Sequence, residues 1–331
     1  MWNSSALQFV VLTGYLDVGA LSPVFFGLLA CLYVVIVFLN VFLVGVIALN
    51  AALHRPMFLL LMALFVNEVY GSAALFPFLL AQMFRSVHVV SVGACFLQIF
   101  CQYTYATIEF GTLAAMSYDR YLAICRPLQY HVLMSGRRVL ALVLLIWAYA
   151  FVRCMVTLSL NLRLTFCGNS LPSVYCRNYL IVRLACADTH INNVYGLVGI
   201  VLSAVLPLAA IALSYLKILA VCYSGSAHTR LKALSTCTPH FLSVLNFAFG
   251  CSFDIVASRF DLDALGAAAR VFVSVYYGTL QPLLTPLLYG LSLRQVRLTC
   301  TRMLTRARDG HTPERTHTQG KDTCTHLSTC T

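Results

Sequence analysis

Long apolar stretches that carry almost no charge alternate with short polar segments along the chain. Three of these stretches contain no Asp, Glu, Lys or Arg, and four others contain one charged residue each. About 20 mainly apolar residues in a helix are enough to cross a lipid bilayer. The pattern therefore predicts an all-α membrane protein, a seven-transmembrane helix bundle with spans at residues 24–48, 56–80, 92–119, 138–160, 194–219, 233–257 and 269–290.

Composition excludes the soluble classes of protein. The 331 residues are 60% hydrophobic and 10% charged, whereas soluble domains are about 45–50% apolar and about 25% charged. The connections between the spans are short, so residues 24–290 should form one bundle domain embedded in the bilayer. The spans contain no nucleophile motif and no metal-binding spacing of His and Cys, so we predict neither an enzyme nor a catalytic residue.

Basic residues are unevenly distributed between the two sides of the predicted bundle. Segments 51–55, 119–138, 217–232 and 291–308 together hold 13 Lys and Arg, whereas the opposite loops hold 6. The positive-inside rule places the richer side in the cytoplasm. The N-terminus is then extracellular and the C-terminus cytoplasmic. This asymmetry accounts for most of the net charge of +11, and no nucleic-acid partner is expected.

The two ends of the chain differ in character from the bundle. Residues 1–23 should be an extracellular tail, and Asn3 begins a glycosylation sequon there. Residues 291–304 alternate apolar and basic positions as an amphipathic helix on the inner membrane surface does. Residues 305–331 are rich in Thr, His and Arg with few apolar residues, which predicts a disordered cytoplasmic tail.

Two acidic residues are predicted inside the membrane. From the rise of a helix, Glu68 lies about 18 Å and Glu109 about 16 Å from the inner surface, with Asn40 at a similar depth. Two neighbouring carboxylates at low dielectric cannot both stay charged without compensation. Either one is protonated or a hard cation such as Na⁺ binds between them. An ion or proton transporter that uses Glu68 and Glu109 is the alternative function.

Arg153 is a charged residue in the outer half of the fourth span. Facing a cavity, it would attract an anionic ligand; otherwise it reaches the membrane surface or pairs with another polar group. Both interpretations stay open from the sequence.

Four cysteines fall on the predicted outer, oxidising side: Cys95, Cys167, Cys176 and Cys186. Four cysteines allow three pairings. The residues alone do not select one.

The stretch from Met116 to Tyr130, which contains Asp119-Arg120-Tyr121, resembles the signature at the inner end of helix three in odorant receptors. Odorant receptors are rhodopsin-like G-protein-coupled receptors. Residues 67–72 are similar to fish-type members of the family. Further matching pieces occur in the expected order: Leu53–Phe58, Ser214-Tyr215, Lys232–His240 and Pro286–Gly290.

The resemblance implies a role for each matching residue. Arg120 would meet a heterotrimeric G protein when helix six swings outward, with Asp119 and Tyr121 beside it. Tyr215 and Tyr289 would stabilise the active state, and His240 would be a packing or switch residue. The implied protein lies in the plasma membrane, binds a small odorant and raises cAMP through a stimulatory olfactory-type G protein.

The resemblance also implies two disulfides and a sodium region. Cys95 would pair with Cys176, and Cys167 with Cys186. Glu68 and Glu109 would occupy the allosteric sodium region, with no other cofactor. Glu68 stands where the family has aspartate and Thr285 where it has asparagine, so the contacts of this region must differ from the family pattern.

The odorant would occupy the outer half of the bundle, between helices three, five, six and seven. Polar groups in a mainly apolar wall are typical of small-molecule sites. The predicted lining residues are Gln102, Tyr103, Ala106, Thr107, Gly199, Ser203, Phe249, Ser252, Val256, Val275 and Gly278.

Overall fold

Seven long helices occupy most of the chain in the computed structural model, which describes residues 7–15, 21–224, 227–259, 267–292 and 295–301. Every predicted span falls within one of these helices. In chain order, helices one to seven cover Ser22–Leu49, Pro56–Gln82, Val92–Cys125, Gly136–Leu162, residues 190–224, Ala227–Arg259 and Ala267–Ser292.

Helix three lies at the centre of the bundle. It contacts helices two, four, five and six, and it buries a series of polar side chains that includes Gln102, Thr107 and Glu109. In the part of the chain that the structure describes, five of the helices are long and apolar enough to cross a membrane by length and composition. Helix three is not among these five because its many polar side chains lower its mean hydropathy.

Helix five contains a short π-helical turn. The helix begins as His190–Ile200, continues through the turn at Val201–Val205, and ends as Leu206–Ser224. Pro207 lies two residues after the turn and lacks the backbone N–H that would continue the hydrogen-bond ladder. Such turns commonly mark functional sites, and Ser203 within this one is buried.

A small three-stranded sheet lies at the predicted outer end of the bundle. Its strands are β1 (Phe9–Leu12), β2 (Val89–Ser91) and β3 (Ser170–Leu171). β1 is central, antiparallel to β2 and parallel to β3. The sheet joins the N-terminal segment to the loops before helix three and after helix four, so part of the predicted tail 1–23 is structured.

Two disulfides fix the loop after helix four. Cys95 at the start of helix three pairs with Cys176, and Cys167 pairs with Cys186. These are the pairings that the family resemblance implied. Between the two bridges the loop forms a short helix, Asn178–Arg183, which lies over the outer part of the bundle.

The amphipathic segment after helix seven is helical over residues 295–301. Val296 is buried against the bundle core, whereas Arg297 and Leu298 are exposed. Several predicted features lie outside the described residues: residues 293, 294 and 302–304 of the predicted segment, the whole of 305–331, and Asn3.

Candidate functional site

A cavity of about 140 Å³ lies between helices three, four, five and six, beneath the loop helix Asn178–Arg183. An engineered apolar cavity of about 150 Å³ binds benzene in another protein. The cavity is therefore of a size that admits a small organic molecule.

The cavity brings together the predicted lining residues of helices three and five. Of the predicted residues that line it, four belong to helix three and two lie on helix five near its π-helical turn. These six residues are Gln102, Tyr103, Ala106, Thr107, Gly199 and Ser203.

The lining face predicted for helix six is displaced. Phe249, Ser252 and Val256 are all exposed on the outside of the bundle and do not line the cavity. The helix-six residues that line it are Cys251, Asp254, Ile255 and Arg259. Each residue of a helix turns by about 100°, so a shift of one position moves a side chain from the lipid to the cavity.

The two predicted residues of helix seven face helix two instead of the cavity. Val275 packs against the cluster of Leu75, Leu79, Val174 and Tyr175. A Cβ at Gly278 would lie 2.6 Å from Leu75 Cδ2, so the absence of a side chain at this glycine permits the close approach of the two helices. Helix seven does not contribute to the cavity wall within the described residues.

Helix four, the loop after it and the first turn of helix five supply lining residues that were not predicted from the sequence. Thr157 lies four positions after Arg153, on the same helix face, so the charge at Arg153 was a usable signal. The loop residues carry no comparable signal. The missed residues include Thr157, Asn178, Tyr179, Val182, Asn192 and Asn193.

Polar side chains of the cavity wall are held in defined positions. Arg153 Nη1 donates to Thr107 Oγ1 at 3.2 Å, and the hydroxyls of Tyr149 and Ser203 lie 3.2 Å apart. The first pair joins helix four to helix three, and the second joins helix four to helix five.

An ion pair closes the outer end of the cavity. Arg177 Nη2 lies 2.7 Å from Asp254 Oδ1, and the Tyr175 hydroxyl donates to the same carboxylate oxygen at 2.7 Å. Burial raises the pKa of Tyr175 well above its ordinary value, so this hydroxyl remains a donor. The contacts tie the disulfide-fixed loop to helix six.

A buried polar network lies on the inner side of the cavity. Glu109 accepts hydrogen bonds from Asn67 Nδ2 at 2.9 Å and from Gln281 Nε2 at 3.0 Å. Gln281 also donates to Ser243 and accepts from Asn246. The network joins helices two, three, six and seven through side chains that the bilayer does not reach.

Glu68 is fully buried beside Glu109. One of its oxygens, Oε2, accepts the Tyr105 hydroxyl at 2.9 Å. The other, Oε1, has no hydrogen-bond partner among the described residues, and neither have Thr285 Oγ1 or Asn40 Oδ1. Asn40 itself donates to the Pro282 carbonyl of helix seven. The prediction that the two acids lie at one level is confirmed.

The inner end of helix three is held by a local ion pair. Arg120 Nη2 lies 2.7 Å from Asp119 Oδ2, and Tyr130 from the following loop donates to Asp119 Oδ1 at 2.8 Å. Burial and the Asp119 charge raise the pKa of Tyr130, which keeps its hydroxyl protonated. Tyr121 lies under Lys217 of helix five.

His240 joins helix six to helices three and five. Its Nε2 lies 3.0 Å from the Leu113 carbonyl, and its Nδ1 lies 2.7 Å from the Tyr215 hydroxyl. A carbonyl only accepts, so Nε2 carries the proton and Nδ1 of the neutral ring accepts from Tyr215. The Tyr289 hydroxyl is buried without a hydrogen-bond partner among the described residues.

Comparison with known proteins gives one consistent result. A family model described as olfactory receptor matches residues 29–307. The chain is 33% identical over 308 residues to human olfactory receptor 2A12, covering 92% of this chain and 98% of that protein. It is 31% identical over 307 residues to mouse olfactory receptor 4M1, covering 92% and 96%.

A solved structure has the same fold at low sequence identity. The crystal structure of squid rhodopsin matches with a TM-score of 0.71 and 16% identity, covering 92% of each chain. At this identity the likeness concerns the arrangement of the helices alone.

Proposed function

The chain belongs to the olfactory receptor family, and from this premise we propose that a small odorant occupies the cavity beside Thr107 and Ser203. The protein is a multi-pass membrane protein and a G-protein-coupled odorant receptor, which makes it a signalling receptor and not an enzyme. The family favours this function over the transporter that Glu68 and Glu109 alone would permit.

One observation carries the proposal: the cavity is lined by the same helices that meet at the inner end of the bundle. Helix three carries Arg120, helix five carries Tyr215 and helix six carries His240. An odorant that binds the active arrangement better than the inactive one shifts the population toward it. To change the ratio of active to inactive receptor from 1:99 to 99:1, a ligand needs about 5.5 kcal/mol of differential binding. A ligand small enough for this cavity supplies only part of that free energy, so it would give partial activation.

The cellular setting of the receptor is also a proposal. We propose that the N-terminus is extracellular and glycosylated at Asn3, that the C-terminus is cytoplasmic and that the receptor lies in the plasma membrane. The surplus of Lys and Arg on the inner side supports this orientation. We propose that the G protein is of the stimulatory olfactory type, which raises cAMP.

We further propose that Na⁺ binds beside Glu68. The partnerless oxygens of Glu68, Thr285 and Asn40 support this proposal, because oxygen ligands suit a hard cation. In the described part of the chain no group of three or more His, Cys, Asp or Glu side chains could hold a metal. The amide and hydroxyl oxygens would therefore complete the ligand set around Glu68 and its neighbour Glu109.

Filling the cavity is expected to abolish the odorant response. Ala106→Phe adds a ring about the size of the benzene that a cavity of this volume holds. We expect cells that express this variant to lose the cAMP response of wild type to a pool of short-chain alcohols, aldehydes, ketones and carboxylic acids.

The matched control is Val256→Phe, which adds a comparable ring at an exposed position of helix six. At equal surface expression it should keep the wild-type response. Equal responses from Ala106→Phe and wild type would show that the ligand binds elsewhere.

A further inference from the structure

Arg153 is a cation in the cavity wall, and it forms an ion pair with none of the acidic side chains that the structure describes. The described residues contain two ion pairs, Arg120 with Asp119 and Arg177 with Asp254, and Arg153 belongs to neither. Its side chain donates to the neutral Thr107 hydroxyl, and its Nε is buried with no hydrogen-bond partner in the part of the chain described. A guanidinium inside a membrane bundle is costly unless it is paired.

The other charges of the cavity wall do not neutralise Arg153. Asp254 is the acidic residue among the lining side chains, and Arg177 already lies 2.7 Å from its carboxylate. Arg259 lies at the same wall with its guanidinium 4.6 Å from the centre of the Tyr179 ring. Among the described residues, the cavity wall therefore carries an excess of positive charge.

The neighbouring helix leaves room for the Arg153 guanidinium. A Cβ at Gly199 of helix five would lie only 2.4 Å from Nη2 and 2.8 Å from Nε. The absence of a side chain at Gly199 lets the planar group extend toward helix five. Apolar side chains such as Val182 and Ile255 line other parts of the same cavity.

We propose that this receptor recognises small organic carboxylates, and that Arg153 binds the carboxylate group while the apolar wall holds the hydrocarbon part. The inference rests on the proposed function, because the cavity is the proposed odorant site. A guanidinium presents a rigid fork of donors that matches the two oxygens of a carboxylate. Thr107, already hydrogen-bonded to Arg153, orients that fork.

The test measures binding to the purified full-length receptor in detergent, without any G protein. Its melting temperature is recorded with a series of straight-chain carboxylates and with the alcohols of the same chain lengths. We expect the carboxylates to stabilise wild type more than the matching alcohols do. Arg153→Gln should weaken carboxylate binding by about tenfold to a hundredfold, as expected for a lost hydrogen-bonded charge contact.

Three further variants separate the role of Arg153 from general damage. Arg153→Lys keeps the charge but loses the fork, so carboxylate binding should fall by less than in Arg153→Gln. Gly199→Ala should also weaken it, because the new Cβ displaces the guanidinium. Arg137→Gln removes an exposed arginine at the opposite end of helix four and should bind carboxylates as wild type does.

Each result has a definite meaning. Stabilisation by alcohols that equals or exceeds that by carboxylates overturns the inference and leaves the odorant site in place. Carboxylate binding that survives Arg153→Gln also overturns it. A receptor that no carboxylate and no neutral odorant stabilises would contradict both the inference and the proposed function. If alkyl sulfonates bind as tightly as carboxylates of the same chain length, the site recognises anions in general. The proposed match between the guanidinium fork and the two carboxylate oxygens would then be wrong.

Discussion

His240→Phe is expected to raise ligand-independent cAMP signalling about tenfold or more. The phenyl ring has a shape close to that of the imidazole but removes both nitrogens, and with them the contacts to Leu113 and Tyr215. Two net hydrogen bonds contribute about 2 kcal/mol, and each 1.4 kcal/mol corresponds to about a tenfold change in an equilibrium. Helix six would then leave helix three more readily, and Tyr215 would keep only its longer hydrogen bond of 3.3 Å to the Cys237 carbonyl of helix six.

The measurement is basal cAMP at matched surface expression. Leu242→Ala, at an exposed position two residues along the same helix, is the control and should leave the basal level unchanged. A basal level in His240→Phe that equals that of wild type would show that His240 fills space without holding helix six in place.

Sodium is expected to raise the melting temperature of wild type by several degrees, and Glu68→Gln should abolish this effect. A cation at a hundred times its dissociation constant stabilises the folded state by about 2.7 kcal/mol. The glutamine keeps an oxygen that can accept from Tyr105 but removes the charge that attracts the ion. The folded bundle should therefore remain while the response to sodium is lost.

The sodium experiment compares NaCl with choline chloride at one ionic strength. The control is Gln82→Ala, which changes an uncharged residue at the end of helix two, away from the acids. It should keep the sodium effect. No difference between the two salts for wild type would favour a proton shared by Glu68 and Glu109. A sodium current abolished by Glu68→Gln would instead favour transport.

The sequence predicted the helices well because the bilayer imposes a strong constraint. A span needs about 20 apolar residues and tolerates few charges. The long stretches without charged residues therefore predict where the helices lie. The outer sheet lacks such a signal. β1 has four residues and β3 has two, and they pair across about 160 residues of sequence, Val11 with Ser170 and Leu12 with Leu171.

The cavity was predictable on helix three but not on helix six, for a physical reason. Around Glu109 the polar residues of helix three mark its buried side, and Thr107 and Gln102 lie on it. In its outer half helix six carries small or apolar residues on both sides, exposed at Ser252 and Val256 and lining the cavity at Cys251 and Ile255, so its apolar pattern does not distinguish lipid from protein contacts there. The charged residues Asp254 and Arg259 mark the inward side, and both line the cavity.

Ligand-evoked cAMP in cells that express the full chain with a stimulatory olfactory-type G protein tests the central claim most directly. Arg120→Ala is measured beside wild type at equal surface expression. We predict that short-chain carboxylates or neutral odorants raise cAMP through wild type, and that Arg120→Ala loses this rise because the inner-end arginine no longer meets the G protein. A ligand-evoked rise of equal size in Arg120→Ala would contradict the account.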